Sequence, residues 1–123
     1  MEHIIMVRTR DEKIYERKPA PFQGNGEIIV RNILNGPDEM YQAGRVFAHT
    51  TVLPGSAIGY HVHVHESETY YILSGRAKFN DNGTIREIGP GDVTFTGDGE
   101  GHGIETIGNE PVEMIALIIY DKR

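Results

Sequence analysis

The stretch 55–75 constrains this chain more than any other, because it combines alternating histidines with the pattern of extended strands. His61 and His63 are separated by a single residue. Alternate side chains of a β-strand point to the same face, so this spacing sets two imidazoles side by side, where they can bind one metal ion. Glu68, from the following strand, is predicted to supply a third ligand. A fourth is expected from elsewhere in the chain, and His102 is the candidate donor.

These residues resemble the first conserved motif of the cupin superfamily. The resemblance runs from Gly55 through His61, His63 and Glu68 to Gly75, with the spacing of the family. It implies a double-stranded β-helix, which is a small all-β barrel similar to a jelly roll. It also implies a metal site in the interior of that barrel.

A second stretch, which begins at Gly91, resembles the second cupin motif, in which His102 is the remaining ligand. Two positions depart from the family pattern. Gly97 stands where proline is usual, and Thr106 stands where asparagine is usual. Neither position is a metal ligand in the family, so the predicted ligand set is unchanged. The glycines leave the loop 97–101 more mobile than a proline would.

The size and composition of the chain exclude several classes of function. With 123 residues it forms one domain, and with no cysteine it has neither disulfides nor thiolate metal ligands. A net charge of −6 predicts that a phosphate backbone is repelled, so no nucleic-acid partner is expected. No apolar stretch reaches the length of a membrane span or of a signal peptide, which predicts no membrane association and a cytoplasmic location.

The charged N-terminal segment differs in character from the rest of the chain. Residues 1–21 are predicted to form an arm, which is interrupted by two prolines near its end. Thr9 and Glu12 have the spacing of a capping box, which favours one helical turn. Residues 22–123 are predicted to form a single cupin barrel domain.

From residue 26 onward, short apolar runs alternate with turn signals, and almost no helical period is present. This pattern predicts about nine antiparallel strands in a sandwich or barrel. The cupin resemblance narrows this to the double-stranded β-helix. Asn82 and Gly83 between two alternating runs predict a hairpin. The family commonly pairs two subunits to cover sheet edges and an apolar outer sheet, so the resemblance also implies a homodimer.

The predicted ligand set constrains the choice of metal. Three neutral imidazoles and one carboxylate leave a divalent ion with a charge of about +1 and with open coordination positions. Nitrogen and oxygen donors suit manganese, iron, nickel, copper and zinc, whereas magnesium and calcium prefer oxygen alone. We therefore expect one divalent transition metal per chain, its identity left open among these five.

Three further residues are candidates for roles around the metal. Tyr70 has the same strand parity as Glu68, so it is predicted to face the interior and to act as a catalytic hydrogen-bond or proton donor. His49 is the second candidate catalytic residue, although its strand can face either way. For His65 a rim position without metal is favoured over a fifth ligand, because a bulge or turn must separate it from Glu68.

The function predicted from the sequence is a metal-dependent enzyme that acts on a small carboxylate or enol, similar to cupin dioxygenases and decarboxylases. Asp98 and Glu100, in the loop beside His102, are candidates for an acid or base on a movable lid. Two alternatives remain open. One is a sugar or sugar-phosphate isomerase, for which few cations lie near the motifs, among them Arg31, Arg45 and Arg76. The other is a cupin that binds a small molecule without turnover.

Overall fold

The computed structural model describes residues 7–123 and shows an almost entirely β architecture. The described residues contain ten strands, which are β1 (Tyr15–Pro19), β2 (Glu27–Leu34), β3 (Gly44–Val52), β4 (Ala57–Val62), β5 (Glu66–Ser74), β6 (Ala77–Asp81), β7 (Thr84–Ile88), β8 (Val93–Thr96), β9 (Gly101–Thr106) and β10 (Val112–Tyr120). Within residues 7–123, helical structure is confined to two 3₁₀ turns, Arg10–Glu12 and Pro37–Met40. Neither turn has the length or the apolar character that spanning a membrane requires of a helix.

The strands form two antiparallel sheets. A six-stranded sheet has the order β1-β2-β3-β10-β5-β8, and a four-stranded sheet has the order β4-β9-β6-β7. Strands that are distant in sequence thus become neighbours, as in the pairing of β3 with β10 and of β4 with β9. The predicted double-stranded β-helix is confirmed.

The hydrophobic core lies between the two sheets, and strand alternation explains its composition. Along β10 the residues Val112, Met114, Ala116 and Ile118 are buried, while the residues between them face outward. In the hydrophobic core, Val112, Met114 and Ala116 cluster with residues of the other strands, which are Ile28, Val52, Ile58, Tyr70, Ile72, Ala77, Phe79, Ile88 and Ile104. This core fixes the inner faces of both sheets, and the predicted metal ligands lie on these faces.

The outer face of the six-stranded sheet is apolar at one end. Tyr71 and Leu73 of β5, Val93 and Phe95 of β8 and Ile119 of β10 are each more than two-fifths exposed. A homodimer would cover this apolar face. The homodimer stays a prediction.

The N-terminal segment forms more structure than its sequence indicates. The predicted helical turn is present, and the Thr9 backbone N–H donates to Glu12 Oε1 at 3.1 Å as in a capping box. Beyond it, β1 pairs along its whole length with β2. Strand β1 was not predicted, because an edge strand with little burial lacks apolar alternation and tolerates Pro19 at its end. Residues 1–6 of the predicted arm lie outside the described residues, and the division at residues 21 and 22 stays a prediction.

The hairpin predicted from Asn82 and Gly83 is confirmed. These two residues connect β6 to β7, and both have positive φ, at 50° and 98°. A two-residue hairpin turn of this type requires positive φ at both positions, which asparagine and glycine tolerate. The turn also contributes to the neighbouring loop, because Asn82 Oδ1 accepts a hydrogen bond from the Gly101 backbone N–H at 2.8 Å.

Replacement of Ile72 by alanine tests the core. Ile72 is 1% exposed, so Ile72→Ala is expected to lower the free energy of unfolding by about 2 to 5 kcal/mol through lost burial and a residual cavity. Ile85 on β7 is 59% exposed, and Ile85→Ala is the matched control, with an expected change within about 0.5 kcal/mol. Urea unfolding followed by circular dichroism measures both, and equal effects would contradict the assignment of the core.

Candidate metal centre

Four side chains that are far apart in sequence meet inside the barrel. His61 lies on β4, His63 directly follows that strand, Glu68 lies on β5, and His102 lies on β9. One potential ligand atom from each residue lies within 4.8 Å of the others. The structure therefore brings together the four residues that the sequence analysis singled out, in an arrangement that can hold a metal ion.

The distances inside this cluster fit a single ion. The Nε2 atom of His102 lies 3.1 Å from Nε2 of His61, 3.2 Å from Nε2 of His63 and 3.0 Å from Oε1 of Glu68. The same carboxylate oxygen lies 3.1 Å from Nε2 of His63. Ligands at right angles around an ion with bonds of about 2.1 Å are separated by about 3 Å. The spacing of these atoms thus matches neighbouring positions of one coordination sphere.

Hydrogen bonds on the opposite side of each ring orient the histidines. His61 Nδ1 lies 2.7 Å from the carbonyl oxygen of Gly59, and His63 Nδ1 lies 2.6 Å from Glu66 Oε2. Both partners only accept hydrogen bonds, so in the neutral rings Nδ1 carries the proton and Nε2 carries a lone pair. His102 Nδ1 in turn lies 2.8 Å from the hydroxyl of Thr96. Such partners are typical of histidines that bind metal.

The donor atoms of this cluster fit a cation. His63 and His102 are almost completely buried, and with His61 they direct nitrogen atoms at one another from about 3 Å. Lone pairs that converge in this way repel unless a proton or a metal ion lies between them. The donor set contains nitrogen and oxygen only, which suits a transition metal.

The charges around the cluster favour a cation. Glu66 accepts two hydrogen bonds from the guanidinium of Arg45, both at 2.8 Å, and this pairing, with His63 on its other side, lowers the Glu66 pKa. Burial alone would raise the pKa of Glu68. The His102 and His63 rings, which donate to this carboxylate when Nε2 carries a proton, outweigh burial and lower this pKa to about 2. Glu68 is therefore ionised at neutral pH.

The histidines respond differently to this environment. Burial lowers the pKa of His61, which favours the neutral ring that a metal requires. The hydrogen bond to Glu68 raises the pKa of His63 in spite of its burial. A proton is thus attracted to the position at which a metal ion would neutralise the same carboxylate.

Tyr70 lies beside the cluster, as its strand parity predicts. It is 3% exposed, and its ring stacks on that of His102 with centroids 5.0 Å apart. Burial and the nearby charge of Glu68 raise the Tyr70 pKa well above its usual value. The phenol therefore stays protonated and can act as a hydrogen-bond donor, but not as a base at neutral pH.

The structure does not bring His49 to the cluster. On β3, Val46 and Thr50 line the interior cavity, and His49 points to the opposite face. Its Nε2 atom lies 2.8 Å from Glu113 Oε1 on the outer side of the sheet. The sequence leaves two orientations of β3 open. The structure has the orientation in which His49 faces outward.

His65 also lies outside the cluster, in a bend between β4 and β5. Its φ is +63°, its side chain is highly exposed, and its backbone N–H donates to Asp98 Oδ1 at 2.7 Å. Glu100 Oε1 accepts a hydrogen bond from the Gly97 backbone N–H at 2.7 Å. Both acidic residues of the predicted lid thus make hydrogen bonds to the backbone around the loop.

An interior cavity of about 260 Å³ opens beside the cluster. Its wall is largely apolar, and its charged residues other than the cluster itself are Lys18 and Arg45. Phe22 lies at the same cavity, where its ring stacks on His61 with centroids 3.8 Å apart.

Sequence reasoning missed three residues of this site. Lys18 belongs to the segment interpreted as an arm, and Phe22 is the first residue of the predicted barrel domain; no local pattern predicts that either residue reaches the cavity. Glu66 carried a usable signal, because it lies two residues before Glu68 and shares its inward face on β5.

Comparisons with known proteins agree with the fold and the site. A family model described as a cupin domain matches residues 48–120, which include all four residues of the cluster. The chain therefore belongs to the cupin family, as a small single-domain member.

A similar sequence and a similar solved structure both come from Thermotoga maritima. An oxalate-binding protein is 44% identical over 114 residues, which cover 93% of each chain. The crystal structure of a predicted oxalate decarboxylase superposes with a TM-score of 0.87 at 41% identity, over 94% of this chain and 99% of the other. A protein of unknown function with a double-stranded β-helix domain, from Klebsiella pneumoniae, is 25% identical with a TM-score of 0.69, over 97% and 93% of the two chains.

Alanine replacements test the cluster directly. His63→Ala or His102→Ala removes one donor and is expected to abolish stoichiometric binding of a divalent transition metal, since each of these rings contacts at least two other members of the cluster. His49→Ala is the matched control and is expected to bind as the wild type does, because its ring lies outside the cavity. Elemental analysis of protein purified without added metal, and again after reconstitution, measures occupancy. Full occupancy in either cluster variant would contradict the site.

Proposed function

We propose that this cupin binds one divalent transition metal through His61, His63, Glu68 and His102, and that it uses the metal to hold a small dicarboxylate of the oxalate class. The observation that carries the proposal is the position of the cluster. Its donor atoms converge beside a cavity that contains two cationic side chains. The similarity to an oxalate-binding protein over nearly the whole chain supports the same ligand class.

The charge balance favours an anion with two oxygen donors. Three neutral imidazoles and one carboxylate leave a divalent ion with a net charge of about +1 and about two free positions in a six-coordinate geometry. When bound, the metal withdraws electron density from the carboxylate oxygens that bind it. The two carboxylates of oxalate would supply two oxygen donors to these positions, and their two negative charges would exceed the remaining positive charge by about one.

The cavity suits a small acid better than a large one. Its volume of about 260 Å³ is limited, and apolar residues that include Val30, Val46 and Met114 form much of its wall. Lys18 supplies a half-buried cation at this wall, and Arg45 is held at its place by Glu66. Glu66 thus offsets the charge of Arg45, and Lys18, whose ammonium lies 3.8 Å from Glu16, would partly offset the excess negative charge of a metal-bound oxalate.

Decarboxylation is a second candidate function, favoured by the proton that Tyr70 retains. Cleavage of the carbon–carbon bond of oxalate releases CO₂ and leaves an electron pair on the other carbon, which must receive a proton to become formate. Tyr70 is buried beside the cluster, and its raised pKa keeps the phenol protonated, so a proton is present in the site for a strongly basic carbon, although the raised pKa makes Tyr70 a weaker acid than a free tyrosine. The likeness to a predicted oxalate decarboxylase supports this candidate.

The sugar-phosphate alternative has weaker support. Of the three arginines considered, Arg31 donates to Thr51 Oγ1, and Arg76 pairs with Glu87 on an exposed hairpin. Only Arg45 lines the cavity, and its Nε and Nη2 atoms both donate to Glu66. A phosphate group that lies away from the metal would find one half-exposed lysine, already close to Glu16, which gives little compensation for two negative charges.

Calorimetric titration with oxalate tests the proposed function. Protein loaded with Mn²⁺, Co²⁺ or Zn²⁺ is expected to bind oxalate near a 1:1 ratio, and metal-free protein or the His102→Ala variant is expected to bind none. Acetate is the comparison ligand, because it has one carboxylate and is expected to bind at least about 10-fold more weakly. Formate and CO₂ are assayed in parallel, and their absence would leave binding without turnover. Equal oxalate binding by metal-free protein would contradict the proposal.

Lys18→Gln tests the role of the cavity cation. Loss of this charge is expected to weaken oxalate binding by about 3- to 10-fold, a modest effect because the side chain is partly exposed to solvent. Metal affinity is expected to stay unchanged, since Lys18 is not part of the cluster. Lys78→Gln on β6 is the control, because Lys78 is exposed and lies outside this cavity. An equal loss in both variants would show a general effect of net charge and would count against Lys18.

A further inference from the structure

The turn formed by residues 20–25 connects β1 to β2 of the six-stranded sheet and also contacts β4 of the four-stranded sheet, beside the candidate metal centre. At one end Ala20 N–H donates to the Gly26 carbonyl at 2.9 Å, just before β2. At the other end Asn25 exchanges two backbone hydrogen bonds with Ala57 of β4, both at 2.8 Å. The turn is therefore fixed to both sheets.

Close backbone contact presses this turn against β4. A Cβ atom on Gly59 would lie 1.9 Å from the Phe22 carbonyl oxygen, and one on Gly24 would lie 1.9 Å from the Ala57 carbonyl oxygen. Both positions need glycine for this approach. Phe22 and Gln23 also have positive φ, at 60° and 58°, which side-chain-bearing residues rarely adopt. The contacts thus hold Phe22 in a conformation that it would otherwise avoid.

This conformation directs the Phe22 ring onto His61. The two rings are nearly parallel, with an interplanar angle of 11° and centroids 3.8 Å apart. The same turn is connected to His61 through the backbone, because the Gly59 N–H donates to the Pro21 carbonyl at 3.1 Å and the Gly59 carbonyl accepts from His61 Nδ1. His61 is the least buried member of the cluster, so packing within the barrel restrains its ring least and a stacking partner can restrict its orientation.

We infer that Phe22 is a positioning residue for the metal ligand His61 and that its ring limits the length of the acid that can enter the cavity. Both halves of this inference rest on the proposed metal binding, and the second half rests also on the proposed ligand class. Phe22 lines the cavity together with the cluster, and it is 56% exposed, so one face of the ring meets His61 while the rest borders the entrance. Removing the ring frees the imidazole and widens the opening, and it leaves the hydrophobic core unchanged.

Cobalt binding tests the positioning role without any organic ligand. Phe22→Ala is expected to weaken Co²⁺ affinity by about 3- to 10-fold and to change the visible absorption bands of the bound ion, because the His61 ring is no longer held by stacking. Phe22→Tyr keeps an aromatic ring and is expected to restore both properties. Phe95→Ala removes a similarly exposed ring from the outer face of β8 and is expected to change neither. Wild-type Co²⁺ affinity and spectrum in Phe22→Ala would overturn the positioning role.

A series of dicarboxylates tests the limit on length. With the Co²⁺-loaded proteins, Phe22→Ala is expected to raise the affinity for malonate relative to oxalate by about 10-fold, which is the scale of discrimination by one methylene group. An unchanged ratio would overturn the limit on length. Wild-type protein that binds Co²⁺ but no dicarboxylate would contradict the proposed function and the limit on length, and the cobalt experiment would still decide the positioning role.

Discussion

A β-bulge in β4 is the constraint on which the rest of the site depends. Pairing between β4 and β9 shifts by one residue between Ile58 and His61, at Gly59 and Tyr60. Ile58 faces the core, and without the shift strict alternation would turn His61 outward. With the shift, His61 stands directly opposite His102 on the inner side. Because of the bulge, the first part of β4 packs against the core and the second part presents candidate metal ligands.

The parts of the fold that follow from local pattern were predictable from the sequence. Buried strands such as β10 alternate apolar residues, and Asn82 with Gly83 requires a particular turn, so each segment carries its own signal. The four residues of the cluster were predictable for a different reason. The spacing of His61 and His63 places both rings on one face of a strand, and the family resemblance joined them to Glu68 and the distant His102.

The parts that could not be predicted depend on contacts between distant segments. Strand β1 exists only because β2 offers an edge, and its own residues show no buried face. Phe22 reaches His61 through a turn whose shape is imposed by Gly24 and Gly59, and no periodicity describes such a contact. The inner face of β3 was ambiguous in sequence because His49 and Thr50 are both polar. Their places are decided by Glu113 on the outside and by the cavity on the inside.

The orientation of the histidines links the stability of the barrel to its proposed function. Partners at Gly59, Glu66 and Thr96 fix each ring before any ion arrives, so little reorganisation is needed on binding. The same fixation leaves buried nitrogen atoms facing one another, which is unfavourable in the absence of a cation. An ion that binds only the folded chain adds stability that grows with its concentration, by about 2.7 kcal/mol at 100 times its dissociation constant. The ion-free barrel is therefore less stable than it would be without these converging nitrogen atoms, but the candidate site needs little rearrangement to bind an ion.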